Sequence, residues 1–304
     1  MIRRPVNGPN PVALSEARPV PGCDSPGGPG GSTRGARAGF AGAGGYTGGC
    51  VGGPAALPFR LAAPSCVLPA GIAENCAALA GLVPEVGLAL FETEACLAYS
   101  EADLPAWLAD LPLFFHAHLP LDLPWSAGLE AALAAIEGLV RRIAFLSPWA
   151  LVLHPPPDPG LLPEIARFVR RIGFDPAHLL VENVPGDDLT TAWPLIRESG
   201  LGVCLDLGHV LACGQERLLR LPGLWERVAM LHAYAPGGAG PEPRHDSLAR
   251  LDGRGRALLD RLLSMLAPGR SVVLEVFDPT FLSQSIKCVA AWGAGRGEIG
   301  RAHV

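Results

Sequence analysis

The chain is nearly without lysine: Lys287 is the only one in 304 residues. Schiff-base chemistry, and any mechanism that needs an amine at the centre of a site, therefore has almost nothing to work with. Aromatic residues make up only 6% and charged residues 17%. The eight cysteines (23, 50, 66, 76, 96, 204, 213 and 288) are scattered without a CxxC pair. This reads as reduced thiols, several of them buried, rather than a disulfide scaffold or a zinc ribbon. No apolar run reaches the roughly 18 residues a membrane span requires. The stretch from Gly71 to Phe91 comes nearest and is broken by Glu74, Pro84 and Glu85. The N-terminus has no apolar core of a signal peptide, so the expectation is a cytoplasmic protein with no membrane partner. The net charge of −5 leaves no counterion-release term for a phosphate backbone, which argues against nucleic acid as a partner.

Hydrophobic residues reach 49%, enough for a full core. They are unevenly spread. Residues 1–56 hold 15 of the 38 glycines and 8 of the 31 prolines and have no apolar periodicity. Such a segment cannot bury enough surface to offset its ordering entropy, and the reading is a disordered low-complexity extension. At the other end, residues 293–304 (ending EIGRAHV, with His303) read as a non-native tail outside the fold.

Residues 57–292 alternate between two patterns. Short apolar runs suited to strands lie at 59–64, 86–91, 113–119, 150–154, 179–182, 202–206, 228–232 and 271–276. Helical stretches are expected at 72–82, 103–109, 128–145, 162–172, 189–200, 216–221 and 254–266. Eight strands separated by helices in about 235 residues predict an α/β fold of the (β/α)8 TIM-barrel type. An open doubly wound sheet is the alternative, weakened by the lack of GxGxxG after the first run.

Chemistry-bearing residues recur at the C-terminal ends of the runs. His118 closes the third, His154 the fourth, Glu182 the fifth and Asp206 the sixth, followed by His209. His232 closes the seventh, His245 lies in the loop beyond it, and Glu275 closes the eighth. In a β/α barrel these ends share one mouth. So many imidazoles and carboxylates together carry heavy desolvation and repulsion costs unless a cation is shared among them. Imidazole with carboxylate suits Zn²⁺, and also Mn²⁺ or Fe²⁺, and eight donors exceed one tetrahedral ion, so two or three divalent ions are expected. His116 has the same facing as His118 one layer deeper and is expected in the core or behind a ligand; His178 precedes a strand at the opposite end and is expected to be structural. Glu92, after the second run, and Arg244, beside His245, are candidate substrate contacts, each with a plain exposed role as the alternative.

The segments LLVENVPG, GVCLDLGHVLACG and PRHDSL resemble the endonuclease IV / xylose-isomerase-like barrel superfamily over about residues 57–280. The resemblance implies nine groups around three zinc ions. Eight fall on His118, His154, Glu182, Asp206, His209, His232, His245 and Glu275. The ninth, an aspartate in the superfamily, falls on Pro243, which leaves two ions, or three with Glu242 as substitute donor. Within the superfamily, FRLAAPSCVLPAGIAENCAALAGLVPEVGLALFET and HAHLPLDLP are similar to the cobamide-remodelling phosphodiesterases. That resemblance implies a small-molecule substrate: the nucleotide loop of a cobamide, cut at a phosphate linkage to give a cobinamide-type corrinoid. Glu182, Asp206 and Glu275 are then the expected catalytic carboxylates, with Glu182 bridging two ions. A sugar isomerase or epimerase would need one ion, held by Glu182, Asp206, His232 and Glu275, and leaves four histidines unexplained. An abasic-site DNA endonuclease is permitted by the ligand set and opposed by the charge.

Overall fold

The computed structural model describes residues 57–238 and 244–301, with side chains described as far as residue 295. The expected extension at 1–56, His303, Glu242 and Pro243 lie outside the described residues.

Eight parallel strands close into a barrel. They are β1 (Arg60–Pro64), β2 (Glu85–Ala89), β3 (Phe114–His118), β4 (Leu151–Leu153), β5 (Leu179–Glu182), β6 (Gly202–Asp206), β7 (Val228–Ala233) and β10 (Ser271–Leu274). Their order around the barrel is β1-β10-β7-β6-β5-β4-β3-β2, so the first and last strands pair and no edge remains. This closure excludes the doubly wound alternative. The remaining strands, β8 (Ala235–Gly237) and β9 (Arg244–Asp246), form a separate antiparallel pair after β7.

The helices are α1 (Ile72–Leu79), α2 (Thr93–Leu97), α3 (Leu129–Ile143), α4 (Leu162–Arg171), α5 (Trp193–Ser199), α6 (Leu207–Cys213), α7 (Leu224–Arg227), α8 (Gly253–Met265) and α9 (Pro279–Arg301). None is long and apolar enough to cross a membrane. In α3, Leu133, Ile136, Val140 and Ile143 share a helical face and are buried against the strands. Inside the barrel Ala62, Val152, Leu180, Cys204, Met230 and Val273 fill the central layer.

Several expected helices have other bounds. The helix expected at 103–109 is a 3₁₀ turn, Ala106–Asp110, because Pro105 restricts the backbone before it. The helical residues of that unit lie earlier, in α2. The stretch 216–221 holds only a 3₁₀ turn, Leu218–Arg220. The helix after β6 is instead α6, which starts directly at Asp206 and ends at Gly214 in the left-handed region (φ 65°). The helix expected at 189–200 begins only at Trp193, with Pro194 in its first turn. The β8–β9 pair and α9 have no counterpart among the expected elements, and α9 continues past residue 292.

Candidate metal centre

Parallel register brings the strand ends to one level. Asp206 pairs with His232, and His232 with Val273 on β10. Asp206 ends β6, His232 is the residue before the last of β7, and Glu275 follows the last residue of β10, so all three stand at the barrel mouth. Glu182, Asp206, His232 and Glu275 present donor atoms within 4.8 Å of one another, and so do His118, Glu182 and His232. Glu182 lies between two arcs of the barrel. Its Oε1 faces His232 Nδ1 at 3.0 Å, while its Oε2 faces His118 Nε2 at 3.0 Å and His154 Nε2 at 3.3 Å. His232 Nδ1 is also 3.3 Å from Glu275 Oε2 and 3.8 Å from Asp206 Oδ2.

Three histidines are oriented by main-chain carbonyls. Nδ1 lies 2.9 Å from the Leu119 carbonyl in His118, 2.8 Å from that of Asn183 in His209, and 2.7 Å from that of Glu275 in His245. A carbonyl only accepts, so in each ring Nδ1 is the donor and Nε2 is the nitrogen left for another partner, which for His118 is Glu182 Oε2. That arrangement suits metal-ligating histidine. His209 and His245 line the same cavity but stand outside the two tight donor groups.

The inner groups fit a cation. Asp206 Oδ1 caps α6 by accepting the His209 N–H at 2.6 Å. Its Oδ2 is buried and, among the described residues, has no hydrogen-bond partner. A buried carboxylate oxygen left this way costs free energy that a bound ion would repay. The electrostatics agree. Burial, then the charges of Glu182 and Glu275, push the Asp206 carboxyl well above the usual range. Burial alone would also raise Glu182, but the charge of His232 and bonds from His118, His154 and His232 hold it well below. Burial opposes charge on His232, yet the neighbouring Cys204 sulfur, then Glu275 and Glu182, raise it well above an ordinary imidazole.

Around these groups opens a cavity of about 1000 Å³. Its mouth is apolar on one side, with Phe91, Leu121 and Phe277 between 46% and 61% exposed. On another side stand Arg244 and Arg250, both cavity-lining and both paired with Asp246, at 3.9 and 3.0 Å. Arg250 also lies over the Phe281 ring at 5.0 Å. Glu92 is exposed at the start of α2 and is not among the cavity-lining side chains described.

His116 lies one layer below, 2% exposed, on the cavity floor. Its Nδ1 meets Glu85 Oε1 at 2.7 Å. Glu85 also accepts bonds from Trp149 Nε1 (2.8 Å), Arg60 Nε (2.9 Å) and Ser271 Oγ (2.6 Å). His178 ends a 3₁₀ turn before β5, edge-on to Trp149. Sequence reading did not single out Asn183, Arg250 or Tyr234. Asn183 Oδ1 accepts the Asp206 N–H at 2.7 Å and its Nδ2 donates to the Asp206 carbonyl at 3.1 Å, so it fixes the end of β6 from both sides. Its place directly after Glu182 was the available signal.

No protein-family model matches the chain, and no curated protein is similar to it at a significant level. Solved structures are. A D-tagatose 3-epimerase-like protein superposes with a TM-score of 0.61 at 16% identity, over 77% of this chain and 96% of the other. Endonuclease IV from Thermus thermophilus gives 0.58 at 22%, over 77% and 98%. The IOLI protein, solved with a binding zinc atom, gives 0.54 at 13%, over 79% and 97%. This chain has the TIM-barrel fold that these endonuclease IV and xylose-isomerase-like proteins share.

Proposed function

We propose that this protein is a metal-dependent phosphodiesterase that hydrolyses the nucleotide loop of cobamides to a cobinamide-type product. The observation that carries the reading is the second set of imidazoles. A one-ion site is complete with Glu182, Asp206, His232 and Glu275, yet His118 and His154 converge on the outer oxygen of Glu182. His209 and His245, with Nδ1 tied to carbonyls, face the same cavity. Supernumerary ligands of this kind suit a phosphoryl group, whose attacking and leaving oxygens are both stabilised by cations.

Asp206, His232 and Glu275 would hold one ion, His118 and His154 a second, and Glu182 would bridge them; His209 and His245 could complete a third. When bound, such ions polarise phosphoryl oxygens and lower the pKa of water. Glu182 fixes the spacing of the two ligand arcs. Arg244 and Arg250 offer charge to the phosphate, with Asp246 orienting both guanidinium groups. Phe91, Leu121 and Phe277 give the bulky corrinoid an apolar seat and exclude water beside the reacting bond. A water oxygen joins phosphorus, one P–O bond breaks, and the leaving alkoxide takes up a proton.

The tight four-group set favours a second reading, a sugar epimerase using one ion. The apolar mouth opposes it, since a polyhydroxylated ligand needs polar partners there. Incubating zinc-loaded protein with adenosylcobalamin should release cobinamide phosphate, detected by mass spectrometry. One ion per chain together with ketose epimerisation, or nicking of abasic DNA without corrinoid cleavage, would overturn the assignment.

A further inference from the structure

Tyr234 follows β7 in the segment HAYA and is fully buried. Its ring lies face to face on His245, with centroids 3.7 Å apart and planes 7° from parallel. Its edge meets His209 at 6.2 Å and 87°. Its phenol end fills the space over Gly208: a Cβ at that glycine would stand 2.0 Å from Tyr234 Cζ. Gly208 separates Asp206 from His209 in the first turn of α6. The glycine of LDLGH therefore leaves the space that the phenol ring occupies beside the first turn of α6. Buried here without a hydrogen-bond partner, among the described residues, are the Tyr234 hydroxyl and Asp206 Oδ2. One can donate and the other can only accept. The Asp206 charge is near enough to be felt at the phenol.

We propose that Tyr234 is a positioning residue for the metal centre: its ring braces His245 from β9, and its hydroxyl supports the Asp206 carboxylate. A single side chain would thereby couple the histidine of the β8–β9 pair to the inner donor group. Groups that support metal ligands in this way set affinity without touching the ion, and their loss typically weakens binding by about 10–100-fold. The two contacts separate chemically. Phenylalanine keeps the stack and removes the hydroxyl; leucine removes both.

The inference rests on the metal reading above, and zinc binding tests the two apart. Zinc affinity is measured by chelator competition, and ions per chain by elemental analysis, for wild type, Tyr234→Phe, Tyr234→Leu and His245→Ala. Tyr234→Phe should weaken the tightest ion about tenfold with the wild-type number of ions. Tyr234→Leu should in addition match His245→Ala in ions per chain. Cobalt-substituted Tyr234→Phe should show a shifted ligand-field spectrum, which a purely structural role would leave unchanged. Wild-type affinity and spectrum in Tyr234→Phe would overturn the inference while leaving the metal centre standing. A wild-type chain that binds no zinc would remove the metal reading itself. If the leucine variant fails to fold, the phenylalanine arm decides alone.

Discussion

Replacing Asp206 with asparagine should make the metal-free protein more stable and shrink the stabilisation that zinc adds. In the metal-free chain, Asp206 Oδ2 is buried, unpartnered among the described residues, and repelled by Glu182 and Glu275. An amide at that position keeps the α6 cap, because Oδ1 can still accept the His209 N–H. It also turns an orphan acceptor into a donor facing carboxylates. Relief of one unsatisfied buried group is worth about 1–3 kcal/mol. For a folded unit of this size each kcal/mol moves the midpoint by roughly 2–4 °C, so a rise of about 2–12 °C is expected. Zinc should add less to the variant than to wild type, which offsets most of that gain in the loaded state. At a thousandfold excess over Kd, the ion stabilises wild type by about 4 kcal/mol, and a hundredfold loss of affinity removes about 2.7 kcal/mol of that. Thermal unfolding followed by circular dichroism, with chelator and with zinc, reads both terms. An asparagine variant that melts below wild type in chelator would show that Asp206 is not strained by the cluster, and the argument for a cation would lose its main support.

Two further substitutions probe the layers around that residue. Glu182→Gln should abolish turnover and lower ions per chain while preserving the circular dichroism spectrum; an unchanged rate would remove Glu182 from the mechanism. Glu85→Gln should cost stability without altering metal content. Burial alone would raise Glu85, but the bond and charge of His116, then Arg60 and Ser271, bring it from 4.5 down to about 2. A depressed carboxyl stabilises the fold above its unfolded pKa and loses that contribution as pH falls from about 4.5 toward 2. The shift corresponds to about 3 kcal/mol at neutral pH. Urea unfolding should therefore separate wild type from Glu85→Gln at neutral pH and bring them together near the bottom of that window; a gap independent of pH would refute the assignment.

The barrel was legible because its strands are buried on both faces and so appear as continuous apolar runs, such as LLV before Glu182 and VVL before Glu275. The imidazoles and carboxylates at the ends of the third to eighth runs marked the mouth. The short helices were not legible. In α6 the apolar positions of LGHVLAC are interrupted by His209, so the segment reads as a ligand motif rather than as a helix capped by Asp206. The β8–β9 pair is three residues on each side, and β8 contains both proline and glycine, too short for alternation to register. Tyr234 and Asn183 were hidden for another reason. What they do depends on which carbonyls and rings stand across the mouth, and that is a property of closure, not of local pattern.

Closure also bears on how many ions the centre can hold. The strands carrying or preceding Glu182, Asp206, His232 and Glu275 are β5, β6, β7 and β10, four neighbours in the barrel order. Their donors fall into one compact group because adjacent strands end side by side. His118 ends β3 and His154 follows β4, the next two strands around. Their meeting point is the far oxygen of Glu182, at 3.0 and 3.3 Å, while its near oxygen faces His232. Glu182 thus turns one oxygen to His232 and the other to His118 and His154, with His232 common to both donor groups, the disposition a carboxylate shared between two cations would need. A single ion would use the near oxygen and leave the two outer imidazoles with no role beyond hydrogen bonding. Glu182 ends β5, the strand where the two arcs meet.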